Sequence, residues 1–163
     1  ETCRLWEQHI QPVTAMGKRL VVLRRGIALS NDGGAFPEFK KPVRFGIAAI
    51  LGSGRQIISW IHLDDLCRLY LEAMINPQWA GIYNAVAPQP VTNKTMMIEL
   101  GNRMKKNFYI SLPVPGFVLR LLLGEKSTEV LKSNNVSCEK IKKQGFQFIY
   151  PTLDAALRDL LHR

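Results

Sequence analysis

Residues 52–66 read Gly52-Ser53-Gly54-Arg55-Gln56-Ile57-Ile58-Ser59-Trp60-Ile61-His62-Leu63-Asp64-Asp65-Leu66. The glycines give the backbone room for a tight reversal, and the apolar run after them has strand composition. Two carboxylates then stand where a helix begins, complementing the positive end of its dipole. Turn, strand and helix follow without a spacer, which restricts the chain to an α/β arrangement. The helix is expected from Leu63 to about Ile75, with Leu66, Leu69, Tyr70, Ala73 and Met74 on its apolar face and Asn76-Pro77 stopping it.

The segments on either side fit the same class. Residues 3–16 have helical spacing, and Pro12 ends that helix or opens a new turn. Lys18 to Leu29 reads as one strand whose continuously apolar middle suits a parallel strand covered on both faces. Asn31-Asp32-Gly33-Gly34 is a turn, followed by a short helix or loop to Val43 and a crossing from Phe45 to Leu51. Tyr83 to Ala87 is a short buried strand. A loop then leads to a helix lined by Met96, Met97, Leu100 and Met104, for which Thr92 or Asn93 is the cap. Leu112-Pro113-Val114-Pro115 introduces an apolar helix from Gly116 to about Leu123. Further helices are expected at Ser127 to Leu131, from about Ser137 to Gly145, and at Leu153 to Leu161. Residues 1–95 thus complete an α/β part with its substrate loops, and residues 96–163 form a mostly helical lobe.

Composition narrows the function classes. At 163 residues and 47% apolar content the chain can bury a domain-sized core. No apolar run is long enough to cross a bilayer, Phe117-Val118-Leu119-Arg120-Leu121-Leu122-Leu123 being short and interrupted by a charge, and no signal peptide is visible. No membrane partner and a cytoplasmic location are therefore expected. Cys3, Cys67 and Cys138 are widely spaced, with no metal-ligand pattern, and read as reduced packing residues. Neither a metal site nor a catalytic residue is assigned. The net charge of +9 favours phosphorylated or polyanionic small-molecule partners. A nucleic-acid partner is disfavoured, because solvated helix faces account for the basic runs near Lys105-Lys106 and Lys142-Lys143.

Individual residues carry several readings. His62 with Asp64 and Asp65 resembles acid/base equipment, but a carboxylate at a helix start also caps amides and can hold an imidazole in place. Arg55 and Gln56 project from a glycine-flanked turn, where a guanidinium grips phosphate or carboxylate or makes a surface ion pair. Arg24, Arg25 and Gly26 end a strand, at the edge where open α/β sheets bind ligands. Gly33 and Gly34 are turn residues or part of a substrate flap. Ser59 and Asn93 are candidate substrate contacts, Asn93 with helix capping as the alternative. Trp60 reads as a core residue with a cleft position as the alternative, and Met96, Met97 and Met104 read as packing residues. The Gly116 to Leu123 helix is apolar nearly all round and is the candidate interface, including one between two copies of the chain.

Gly54, Gln56 and the run Trp60-Ile61-His62-Leu63-Asp64-Asp65-Leu66 resemble a segment of the extended short-chain dehydrogenase/reductases, the superfamily of NAD(P)-dependent epimerases and dehydratases. Leu23-Arg24-Arg25-Gly26-Ile27-Ala28-Leu29, Asp32-Gly33-Gly34-Ala35, Tyr83-Asn84-Ala85-Val86-Ala87-Pro88 and Tyr150-Pro151-Thr152-Leu153-Asp154-Ala155-Ala156-Leu157 extend the resemblance over almost the whole chain. Together these segments look like the C-terminal half of the epimerase-like atypical branch. The resemblance implies the end of a Rossmann-like doubly wound fold with a small helical substrate lobe. It places the loop at Arg24, Arg25, Gly26 and Ile27 beside the nicotinamide of NADP or NAD. No G-x-G-x-x-G occurs, so the phosphate loop and catalytic Tyr of such enzymes belong to an N-terminal half absent from this sequence. The chain alone is therefore expected to be inactive and to bind no dinucleotide tightly. One departure counts against a nucleotide-sugar substrate: many sugar-nucleotide epimerases place a diphosphate-gripping Arg where this chain has Ile58. The atypical branch shares the Ser59-Trp60 pattern. The alternative to an enzyme part is a non-enzymatic binding module, or two copies exchanging elements into a dimer.

Overall fold

A computed structural model describes residues 2–106, 108–123 and 132–162. The chain opens with α1 (Thr2–Ile10) and α2 (Pro12–Ala15), then β1 (Val21–Arg25), β2 (Ile27–Leu29) and α3 (Ala35–Arg44). Next come β3 (Ile47–Leu51), β4 (Ile57–Ile58), β5 (Trp60–His62) and α4 (Leu63–Ile75). After them run β6 (Gly81–Ala85), β7 (Val91–Thr92), α5 (Asn93–Lys105), β8 (Ile110–Val114) and α6 (Gly116–Leu123). α7 (Glu139–Lys143) and α8 (Leu153–His162) complete the described residues. Pro12 sits at the first position of α2, where its missing N–H costs nothing, so it opens a turn.

β1 pairs in parallel with β6, β2 with β5, and β3 with β8, while β4 and β7 form a short antiparallel pair. Parallel strands joined through helices give the α/β class expected from the sequence. β5 shows how the layers are divided. Successive side chains of a strand point to opposite faces, so Trp60 enters one apolar cluster with Leu29, Phe36, Met96, Met97, Leu100 and Leu157, and Ile61 enters another with Leu66, Leu69, Trp79, Tyr83 and Ile141. Trp60 is fully buried and its indole N–H donates to Gln89 O at 2.9 Å.

Several expectations are corrected. The strand expected from Lys18 to Leu29 is two strands meeting at Gly26. It is not covered on both faces: Val21, Val22 and Leu23 are half-buried, and Arg24 and Arg25 are exposed. On α4, Leu66, Leu69 and Ala73 are buried as expected, but Tyr70 and Met74 face solvent. β8 was hidden by Pro113, which argues against a strand. It is tolerated here opposite Ile50 because β8 pairs on one side only among the described residues. Cys138 is buried, and burial pushes its thiol upward, whereas Cys3 and Cys67 are exposed and are not core residues. The helix expected at Ser127 to Leu131 lies outside the described residues.

Candidate functional site

Amide direction defines the carboxyl end of β1. Gly26 N–H donates to Ala85 O at 3.1 Å, toward β6, and Ile27 N–H donates to Ser59 O at 2.9 Å, toward β5. Because N–H groups alternate between the two edges of a strand, Val21, Leu23 and Arg25 direct theirs away from β6. No strand pairs with that edge of β1 among the described residues. The sheet is thus open along one side, immediately before the strand reaches Gly26.

At this edge Arg24 is consumed internally. Its Nε and Nη2 donate to the Glu7 carboxylate at 2.7 and 2.6 Å, tying α1 to β1. The hydrogen bond from Arg24 holds the Glu7 carboxyl below the usual range, and Glu7 in turn raises Arg24. Arg25 is exposed at the strand end. Gly26 has a different reason than ligand approach: a Cβ there would lie 2.4 Å from Ser59 O and 2.8 Å from Val86 Cγ1. What comes close to Gly26 is the chain's own β5 backbone. Ile27, the remaining residue of this group, opens β2 opposite Trp60 and packs against the core.

The His62 and Asp64-Asp65 group forms a buried junction between helices. His62 caps α4: its Nδ1 accepts from Asp64 N–H at 3.1 Å, which leaves the ring proton on Nε2, 3.3 Å from Asp159 Oδ2. The imidazole stacks on Tyr150 at 3.8 Å between centroids, and the Tyr150 hydroxyl donates to Asp159 Oδ1 at 3.0 Å. Asp65, fully buried, accepts from Ile149 N–H and Tyr150 N–H at 2.9 Å each and from Arg68 Nη1 at 3.0 Å. These bonds fasten the start of α4 to the segment that leads into α8. His62, Asp64 and Asp159 bring ligand-type atoms within 4.8 Å of one another, a grouping that local sequence spacing does not reveal.

The glycine turn separates its two candidate residues. Arg55 is exposed, and among the described residues its amide alone is engaged, donating to Ser53 Oγ at 3.3 Å. Gln56 is buried and its Nε2 donates to Leu51 O, while Asn93 Oδ1 accepts from Leu51 N–H, both at 2.9 Å. Gln56 and Asn93 thus brace the turn from inside, and Thr92 supplies the cap of α5 by accepting from Thr95 N–H. Ser59 is buried as well. Its hydroxyl donates to Asn134 O at 2.7 Å and accepts from Val136 N–H at 3.0 Å. Asn134 N–H donates to Ile57 O at 3.0 Å, so residues 133–136 run as a strap over β4 and β5. Ile58, where many sugar-nucleotide epimerases carry an Arg, is a buried core residue. Gly34 begins α3 with φ of 77°, a conformation that glycine adopts without strain. Beside it, Asn31 ties the turn to α8 by donating to Leu160 O at 2.7 Å.

The structure therefore brings Arg24, Arg25, Gly26, Ile27 and Ser59 to one strand end and leaves exposed cations at Arg25 and Arg55. Sequence reasoning missed Asp159, Tyr150 and the strap at residues 133–136. Only the spacing of Tyr150 before the last helix hinted at the first two; the strap has no local signature. As a dinucleotide cradle the described residues do not suffice. None of the turns is a glycine-rich phosphate loop, and the space next to Gly26 is filled by Ser59 and Val86.

Comparison with known proteins follows the same lines. A family described as "Domain of unknown function (DUF1731)" matches residues 114–160. An epimerase family protein of Staphylococcus aureus (strain MRSA252) is 39% identical over 97% of this chain and 52% of its own length. A chloroplastic epimerase family protein of Arabidopsis thaliana, an SDR39U1 homolog, is 38% identical over 99% of this chain and 46% of its own length. Among solved structures, human epimerase family protein SDR39U1 with NADPH superposes with a TM-score of 0.79 at 30% identity, over 90% of this chain and 49% of that one. The nucleoside-diphosphate sugar epimerase from Corynebacterium glutamicum gives a TM-score of 0.76 at 30% identity, over 98% of this chain and 30% of that one. The chain spans about half the length of the curated relatives it matches.

Proposed function

We propose that this chain, homologous over nearly all its length to the C-terminal part of proteins named epimerase family protein, is the substrate-side portion of an NAD(P)-dependent epimerase or oxidoreductase-like protein. The observation that carries the reading is the open edge of β1, at Val21, Leu23 and Arg25, directly before the strand end at Gly26. In this proposal a strand from the part of the relatives' length not spanned here pairs along that edge. That part supplies the phosphate loop and the general acid/base Tyr. When bound there, the nicotinamide cofactor supplies hydride chemistry. This chain's share is to hold the sheet end, present Arg25 as the cation facing cofactor or substrate, and offer Arg55 to a phosphorylated or carboxylated substrate. Gly33 and Gly34 allow the loop before α3 to close over that substrate. His62, Asp65 and Asp159 keep the lobe in register with the sheet and transfer no proton to substrate. Cytoplasmic location belongs to the same proposal.

The test is a calorimetric titration of NADPH, then NADH, into this chain alone and into the natural product that carries it, whose intact mass is measured alongside. Binding by a longer product and none by the chain alone is the expected result. Micromolar binding to the chain alone would overturn the proposal, as would a natural product no longer than this chain. The second reading, a non-enzymatic interaction module that includes a dimer of two copies, is favoured by the exposed Phe117 and Leu121 of α6. Light scattering that returned twice the chain mass would support it.

A further inference from the structure

The β3–β8 pair has two unlike faces. Ala48 and Ile50 point inward and are buried, whereas Ile47, Ile110 and Leu112 stand on the outer side, Ile110 at 73% exposure. At the entry end of the pair are two phenylalanines. Phe45 closes α3 and is 85% exposed, and Phe108, just after the left-handed Lys106 that closes α5, is 87% exposed. The two strands are held together there by Ile110 N–H donating to Gly46 O at 2.9 Å. Both helices end in cations. Arg44, Lys105 and Lys106 stand beside the phenylalanines, and none of them pairs with a carboxylate among the described residues.

We propose that this face docks on the surface of an anionic phospholipid bilayer. Phe45, Phe108, Ile110 and Leu112 enter the headgroup boundary, and Arg44, Lys105 and Lys106 meet lipid phosphates. Charge selects this occupant. A second copy on a two-fold axis would set these cations against their own equivalents. A single-stranded nucleic acid would use the aromatic faces, but Ile47, Ile110 and Leu112 offer no π surface for stacking. The expectation of no membrane partner rested on the lack of a spanning segment, and a peripheral dock needs no spanning helix, of which there is none among the described residues. The inference is independent of the cofactor proposal.

The experiment is co-sedimentation of the natural product carrying this sequence with vesicles of phosphatidylcholine alone or mixed with phosphatidylserine. Partitioning only to the mixed vesicles, weakened about tenfold or more by Phe45→Ser with Phe108→Ser and by Arg44→Glu with Lys106→Glu, is the expected result. All four positions are exposed, so the thermal midpoints of both variants should match the parent, and Trp6→Ser, at an exposed aromatic of α1 outside the proposed face, should sediment like the parent. Failure of the parent to sediment with mixed vesicles, or unchanged sedimentation of both double variants, would overturn the proposal. It would also fall if the phenylalanine variant halved the solution mass, or lost binding to single-stranded RNA, while still sedimenting with vesicles.

Discussion

Of the adjacent like-charge pairs in the chain, the fold treats Arg24-Arg25 at the end of β1 and Asp64-Asp65 at the start of α4 differently. In each pair one member is taken up internally. Asp65 is fully buried and receives two backbone N–H groups and one guanidinium N–H. Among the described residues Arg24 pairs with Glu7, with its own side chain 52% exposed. An ion shut away from water is costly unless every lone pair is met, so Asp65 makes the α4 junction specific. The exposed pair at Arg24 is screened by solvent and contributes little to folding. The lesson is that the acidic pair holds the architecture, and the basic pair leaves Arg25 exposed at the strand end.

The sharpest way to break this contrast is Asp65→Ala. It would orphan the amides of Ile149 and Tyr150 along with Arg68, and a loss of about 3–5 kcal/mol is expected. For a chain this size that is a fall of roughly 10 °C or more in thermal midpoint by calorimetry. A shift of a degree or two would show that the junction is not structural. Gly26→Ala comes next. The collision with Ser59 O predicts about 1–3 kcal/mol of destabilisation with no ligand present, whereas a glycine kept open for ligand approach would tolerate alanine in the lone chain. Denaturant midpoints decide between them. Ser59→Ala removes the bonds to the strap at Asn134 and Val136 and should cost about 1–2 kcal/mol, with faster proteolysis near residues 133–136.

The smallest effect is expected at the basic pair. Arg24→Ala should leave the midpoint at neutral pH nearly unchanged and alter only the acid side. Glu7 is held below its ordinary value of 4.5 by Arg24, so its contribution is present above that value and is lost as pH falls through the lower folded value. Fluorescence of Trp6 on α1 should therefore change below about pH 4.5 in the parent. In the variant the change moves toward the ordinary carboxylate range.

The elements legible in the sequence were those whose cause is local. The boundaries of α4 followed from an apolar face, an acidic first turn and Asn76-Pro77. The turn at Gly33-Gly34 was equally plain, and the cap of α5 was narrowed to Thr92 or Asn93, of which Thr92 holds it. What escaped depends on partners distant in the chain. β8 is a strand because β3 pairs with it across Pro113, and Gly26 divides one apolar run because β6 and β5 take its successive amides. Gln56, Ser59 and Asn93 look like site residues when read alone. Their side chains are occupied by Leu51, Asn134 and Val136, contacts that only tertiary structure shows. Family resemblance pointed to the half-fold and the strand end, and the glycine turn pointed to an exposed Arg55, whereas the split between an Arg24 engaged by Glu7 and an exposed Arg25 depends on the tertiary contact with α1.

The measurement that tests the central claim most directly is residue-resolved hydrogen exchange on this chain alone and on the natural product that carries it. The account predicts that the amides of Leu23 and Arg25, which point to the open edge of β1, exchange quickly in the chain alone and become protected in a longer product. Those of Val22 and Arg24, directed to β6, should stay slow in both. Protection of Leu23 and Arg25 in the chain alone, or no gain in a longer product, would contradict it.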